Sequence, residues 1–226
     1  MRPLFLLLWL ILCPPLPAES IGPIAAEAEA WLEAEHPDVS MVNEGALEFF
    51  STPPPGGPFH HHQNRLTITP ESLATGWVAV EQCHDHLDPV PRTEITFRRG
   101  RARNISITEA SRIEKARVED DSVQLEGVST GARLCLRVGL KLVNRSADGS
   151  LVLRSGPYMR RFLDGYYPMR VSLSLIPKGL SADIDLISPQ LAQGLNVEKS
   201  GDEMHIEALF AGRLLLEFEL IGPRPN

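Results

Sequence analysis

The stretch ARLCLRVGLKLV, residues 132–143, constrains the fold more than any other part of the chain. Leu134, Leu136, Val138, Leu140 and Leu142 alternate there with Arg133, Cys135, Arg137, Gly139 and Lys141. A period of two puts the apolar side chains on one face of an extended strand and the polar ones on the other, the pattern of a sheet covered on one side. The same rhythm recurs in GWVAVEQC (76–83), RTEITFR (92–98), RNISIT (103–108), MRVSLSLI (169–176), LSADIDLI (180–187), MHIEALF (204–210) and RLLLEFELI (213–221). Asp148-Gly149, Lys178-Gly179 and Ala211-Gly212 stand between such runs as turn formers, and the last predicts a tight hairpin joining the two final strands. The long helices that parallel crossovers require are missing. The expected class is therefore mainly β: an antiparallel β-sandwich, with a partly closed barrel as the alternative, carrying a short N-terminal helix.

That helix is expected over SIGPIAAEAEAWLEAEH (20–36), where Ile24, Ala28, Trp31 and Leu32 fall on one side and Pro37 ends the segment. Ahead of it, MRPLFLLLWLILCPPLPA offers a charged start, an apolar run from Leu4 to Cys13 and a small residue at its end, which reads as a secretory signal peptide cleaved near Ala18. The resulting division is 1–18 signal peptide, 19–50 N-terminal helical segment, 51–64 Pro/Gly/His-rich linker or loop (STPPPGGPFHHHQN), and 65–222 β-sandwich domain. No later stretch is long and apolar enough to span a membrane as a helix. The localisation expected from this is periplasmic or secreted, and the two cysteines left after the signal, Cys83 and Cys135, should pair as a disulfide in an oxidising compartment.

A net charge of -7 offers little general attraction to nucleic acid, so nucleic acid is not an expected partner. One local exception is RRGRAR (98–103), a basic cluster around Gly100 at an expected hairpin tip, able to attract phosphate, a sulfated sugar or an acidic partner.

Six of the seven histidines lie between positions 36 and 86. In CHDHLDP (83–89), His84 and His86 stand two apart and would share a face if the strand continued. His60, His61 and His62 could supply a third imidazole, and Asp85 or Asp88 an oxygen. A metal set of His60, His62, His84 and His86 for copper or zinc follows from that chemistry. Against it, neither cluster has a recognised metal-ligand spacing, and Pro89 and Pro91 turn the motif toward a surface loop.

SGPYMRRFLDGYYPMR (155–170) packs tyrosines, arginines and one aspartate into the connection between two strands. Rigid rings and guanidinium forks concentrate at the energetic centres of interfaces, which nominates Tyr158, Arg160, Arg161, Asp164, Tyr166 and Tyr167 as a binding surface. The same residues admit another structure: Tyr158, Phe162 and Tyr166 fall four apart, and a short helix could plug one end of the sandwich.

Nucleophile elbows, phosphate loops, dinucleotide fingerprints and Cys-x-x-Cys pairs are all missing, so no catalytic residue is nominated. The leading functional expectation is an exported noncatalytic binding or assembly module for a protein or a small polar or carbohydrate ligand. A metal-binding protein using the clustered histidines is the first alternative. A carbohydrate-active enzyme using paired acids such as Asp183 and Asp185, or Glu217 and Glu219, is the second.

Overall fold

A computed structural model describes residues 43–180 and 183–221, all within one compact unit, Val42–Asn226. The expected signal peptide and the expected helix over 20–36 lie outside the described residues. The strands are β1 (Glu48–Phe49), β2 (His61–Ile68), β3 (Trp77–Leu87), β4 (Arg92–Thr96), β5 (Ala102–Glu119), β6 (Ser122–Lys141), β7 (Val143–Arg145), β8 (Leu151–Tyr158), β9 (Arg160–Phe162), β10 (Gly165–Tyr167), β11 (Met169–Pro177), β12 (Asp183–Ser188), β13 (Leu195–Ser200), β14 (Glu203–Ala211) and β15 (Leu214–Ile221). One short helix, α1 (Pro70–Thr75), links β2 to β3. Thr69 caps it by accepting from the Ser72 amide, Pro70 opens it without needing a donor, and Gly76 ends it at φ 83°.

The fold is a β-sandwich without a closed barrel. One sheet runs β1-β14-β11-β2-β3-β6-β4, with β13 also on β14 and β5 also on β6; the other runs β12-β15-β8-β7. Pairing is antiparallel except between β2 and β11, which run parallel. That single exception departs from a purely antiparallel expectation. Inward residues of both sheets form the main core: Leu66, Leu173, Leu175 and Phe210 from the first, Leu153 and Phe218 from the second. Each such side chain taken fully out of water contributes about 1.5–3 kcal/mol before conformational entropy is subtracted. A second apolar cluster, Leu87, Val123, Leu125, Val128, Leu134 and Leu136, holds β4, β5 and β6 together.

Three differences from the sequence reading have physical causes. The final two strands do not form a hairpin: β14 lies in the first sheet and β15 pairs with β12 and β8 in the second. Gly212 carries the chain across at φ 88°, with the Ala46 carbonyl oxygen only 1.9 Å from where a Cβ would stand. The glycine thus serves a sheet-to-sheet crossing under a close backbone contact instead of a two-residue turn. Second, β5 and β6 are far longer than the runs at 103–108 and 132–143. They continue through EASRIEKARVEDDSVQLEGVSTG, where register shifts between Arg103 and Ser106, Ile107 and Glu109, and Ser111 and Ile113 break the alternation. Third, the segment expected as a loop to residue 64 already enters β2 at His61, and Glu48–Phe49 of the expected helical segment pairs with β14.

Candidate functional site

Between the two sheets lies a cavity of about 680 Å³, open at one end. Its walls are built from β2 and β3 on one side and β8 on the other, and from the β4–β5 turn and the ends of β6 and β15. Leu66, Val80, Phe97, Leu140, Leu142 and Met169 make most of the wall apolar. Volumes of about 300–1,000 Å³ with apolar walls and a few convergent polar groups are the usual make-up of a small-molecule site.

The polar groups come from strand periodicity. In β3 the inward positions are Val78, Val80, Gln82 and His84, and in β2 they continue His62, Asn64, Leu66 and Ile68. Register sets His62 directly opposite His84, so the inner face of this strand pair changes from aliphatic to imidazole toward one end. The His62 and His84 rings lie 4.2 Å apart by centroid, and His60 Nε2 sits 3.0 Å from His84 Nδ1. At its other nitrogen, Nε2, His84 meets the Gln82 amide at 2.6 Å. With that amide donating, His84 accepts at Nε2 and donates from Nδ1 to His60, so the chain is satisfied with every ring neutral. Burial reinforces neutrality by penalising charge: His60 is lowered to about 4, His62 to about 3, and His84 well below the ordinary value of 6.5.

Tyr158 borders the same floor. Its hydroxyl accepts from Asn64 Nδ2 at 2.8 Å and meets Ser155 Oγ at 2.6 Å, while its ring stands edge-on to His62 at 5.0 Å. Burial raises its phenol to about 12. Among the described residues, His62 Nε2 is the one buried side-chain nitrogen or oxygen without a protein partner. An unmade bond of this kind costs about 1–3 kcal/mol, and the nitrogen lies out of reach of solvent.

CHDHLDP is thereby divided among separate tasks. His84 points inward and His86 does not: a register shift between Asp85 and Leu87, with His86 at φ 54°, hands the next buried position to Leu87. The expected shared face of His84 and His86 therefore does not exist. Cys83 faces Cys135 across β3 and β6 and is joined to it as a disulfide. Asp85 is held by Arg133 and Gln63, and Asp88 takes a two-pronged contact from Arg160 at 2.6 and 3.1 Å. The two aspartates are thus engaged structurally instead of lending oxygens to the imidazoles. Among the described residues, no group of three or more His, Cys, Asp and Glu side chains is placed to hold a metal ion.

The aromatic and arginine segment is a hairpin, not a helical plug. Arg161 pairs with Tyr166 and Arg160 with Tyr167 across β9 and β10, and Leu163 and Asp164 form the tip. Arg160 lies over the Phe162 and Tyr167 rings, Arg161 lies over Tyr166, and Tyr167 donates to Asp164 at 2.5 Å. Pro157 and Pro168 bracket the segment, and each removes a backbone donor that a helix would use. Tyr158 does not belong to the proposed surface, because it is 6% exposed and forms part of the cavity floor. Arg160, Arg161, Asp164, Tyr166 and Tyr167 remain on the hairpin, where Phe162 is 40% exposed and Leu163 fully so. Met159, at the base of the hairpin, also lines the cavity.

Arg98 and Arg101 of the basic cluster reach the cavity as well, joined there by Lys141 and Arg154. A turn closed by the Arg101 amide on the Arg98 carbonyl at 2.9 Å places the first two. Arg103 turns away and stacks over Trp77 at 4.3 Å. No aspartate or glutamate lines the cavity.

Comparison with family models, curated proteins and solved structures finds no match. None of the paired acids lines the cavity: Asp183 and Asp185 accept from Lys199 at 3.2 and 2.8 Å, and Glu217 is paired with Arg154 of the lining. Sequence reasoning missed Asn64, Gln82, Ser155 and Tyr158 as cavity residues. The available signal was the continuation of period two past Val80 into Gln82 and His84.

Proposed function

We propose that this chain is a noncatalytic binding module whose ligand is a small organic molecule held between the two sheets. The observation that carries the reading is the cavity itself, apolar along its walls and floored by neutral imidazole, amide and phenol groups. Catalysis is less well supported. The imidazoles are engaged with one another and with Gln82, and Ser155 is engaged with Tyr158, so no base is set against a nucleophile. The hairpin at Arg160–Tyr167 flanks the mouth through Met159 and serves in this reading as the adjoining contact surface. We further propose work outside the reducing cytosol, periplasmic or secreted; the apolar run from Leu4 to Cys13 and the Cys83–Cys135 disulfide support it.

A neutral fluorescent probe tests the cavity. 1-Aminoanthracene should bind with a blue-shifted, enhanced emission and micromolar affinity, on the order expected for a probe of that size in an apolar site. Thr96 is exposed and lines the rim, so Thr96→Trp should narrow the entrance without disturbing the core and weaken the probe about tenfold or more. Absence of binding to the wild-type chain would remove the cavity as a ligand site.

A further inference from the structure

We infer that the ligand is an organic anion, with an apolar body lying along the cavity walls and its charged head, a carboxylate or phosphate monoester, at the rim. The inference rests on the binding reading above and specifies the chemistry of the same site. Four cationic side chains, Arg98, Arg101, Lys141 and Arg154, contribute to the lining, and no carboxylate does. This balance is opposite to that of the chain, whose net charge is -7.

The four cations are not equally committed. Arg154 is paired with Glu217, and Arg101 approaches the Asn144 amide oxygen at 3.4 and 3.5 Å. Arg98 and Lys141 make no ion pair among the described residues, are exposed, and line the cavity. Unneutralised cations around an apolar opening focus the field there and raise the local concentration of anions. Guanidinium forks match carboxylate and phosphate oxygens in pairs, whereas an alcohol head offers them a single weak acceptor. A cationic head would meet like charge from Arg98 and Lys141. The floor favours the same orientation: neutral imidazoles and the Tyr158 phenol give a charged head no counterion, so charge belongs at the rim.

The decisive experiment displaces bound 1-aminoanthracene with ligands of one chain length and different heads: dodecanoate, dodecyl phosphate, dodecanol and dodecyltrimethylammonium, each below its micelle-forming concentration. Both anions should displace the probe at concentrations about tenfold lower than dodecanol, and the ammonium should be the weakest of the four. Raising salt from about 0.05 M to about 0.5 M should shrink the advantage of the anions, because the rim is solvent-screened. The double variant Arg98→Gln with Lys141→Gln, checked for folding by its far-UV spectrum, should bring the anions to within about threefold of the alcohol. Equal displacement by anions and alcohol, or preference for the ammonium, overturns the anion inference while leaving the cavity reading intact. Failure of 1-aminoanthracene itself to bind overturns both, and the salt series on the wild-type chain decides the matter even if the variant does not fold.

Discussion

Between pH 6.5 and pH 4.5 the domain should lose roughly 2–4 kcal/mol of stability through His60 and His62 alone, with His84 adding to the loss in the same direction. His60 and His62 have folded values of about 4 and about 3, and His84 lies well below 6.5, all lowered first by burial. In that window the unfolded chain takes up protons at His60 and His62 and the folded chain largely does not. Stability is therefore fully present above pH 6.5 and falls as the pH drops toward the folded values. Two pH units correspond to at most about 2.7 kcal/mol per imidazole, reduced to about 1–2 because the cavity is open at one end. Against a typical total of about 5–15 kcal/mol this is a large share. Guanidinium unfolding at a series of pH values measures the slope directly. The triple variant His60→Gln, His62→Gln, His84→Gln should lose most of it above pH 4.5, where few carboxylates titrate. An identical slope in wild type and variant would show that the cluster is already open to water.

Removing the disulfide should cost about as much, by a different route. Cys83 and Cys135 are register partners on adjacent strands, separated by 52 residues in sequence. Closing a loop of that length restricts the unfolded chain by about 4 kcal/mol at 25 °C in the loop-entropy account. The bridge lies on the face of β3 opposite Gln82 and His84, beside Arg133 and Glu109, and neither cysteine lines the cavity. The double variant Cys83→Ser, Cys135→Ser should consequently unfold at a markedly lower guanidinium concentration and still bind 1-aminoanthracene. An unchanged midpoint after reduction would mean that neighbouring strand contacts already restrict the unfolded chain.

Alternating strands made the sandwich readable, since Leu134 to Leu142 and Leu214 to Leu220 carry an apolar face that only one side of a sheet can hide. The disulfide was readable because only two cysteines, Cys83 and Cys135, remain once the expected signal peptide is set aside, and a single pair has few alternatives. What alternation could not show is where the core face turns polar. His62, Asn64 and His84 occupy inward positions with side chains that imitate a loop, so the start of β2, residues 61–64, reads as linker and CHDHLDP as a turn. Charge hid the middle of β5 and β6 in the same way, and three register shifts removed the remaining rhythm. Gly212 illustrates a third limit. A glycine after alanine resembles a hairpin turn, and only the pairing of β14 in one sheet and β15 in the other shows that the chain is crossing, with the Ala46 carbonyl explaining why the position is glycine. Proximity through folding also joined features that were distant in sequence: Asp88 of CHDHLDP anchors Arg160 of the hairpin, and the basic turn at Arg98–Arg101 meets β8 at the cavity rim.

The proposed binding takes place between the sheets and not on the exposed hairpin. Amide chemical shifts followed by heteronuclear NMR during titration with 1-aminoanthracene locate it residue by residue. The cavity account predicts the largest changes at Gln82, His84, Leu140 and Tyr158, with Leu163 and Asp164 at the hairpin tip almost unmoved. Changes confined to Phe162–Gly165, with the β2, β3 and β8 amides unaffected, would contradict it.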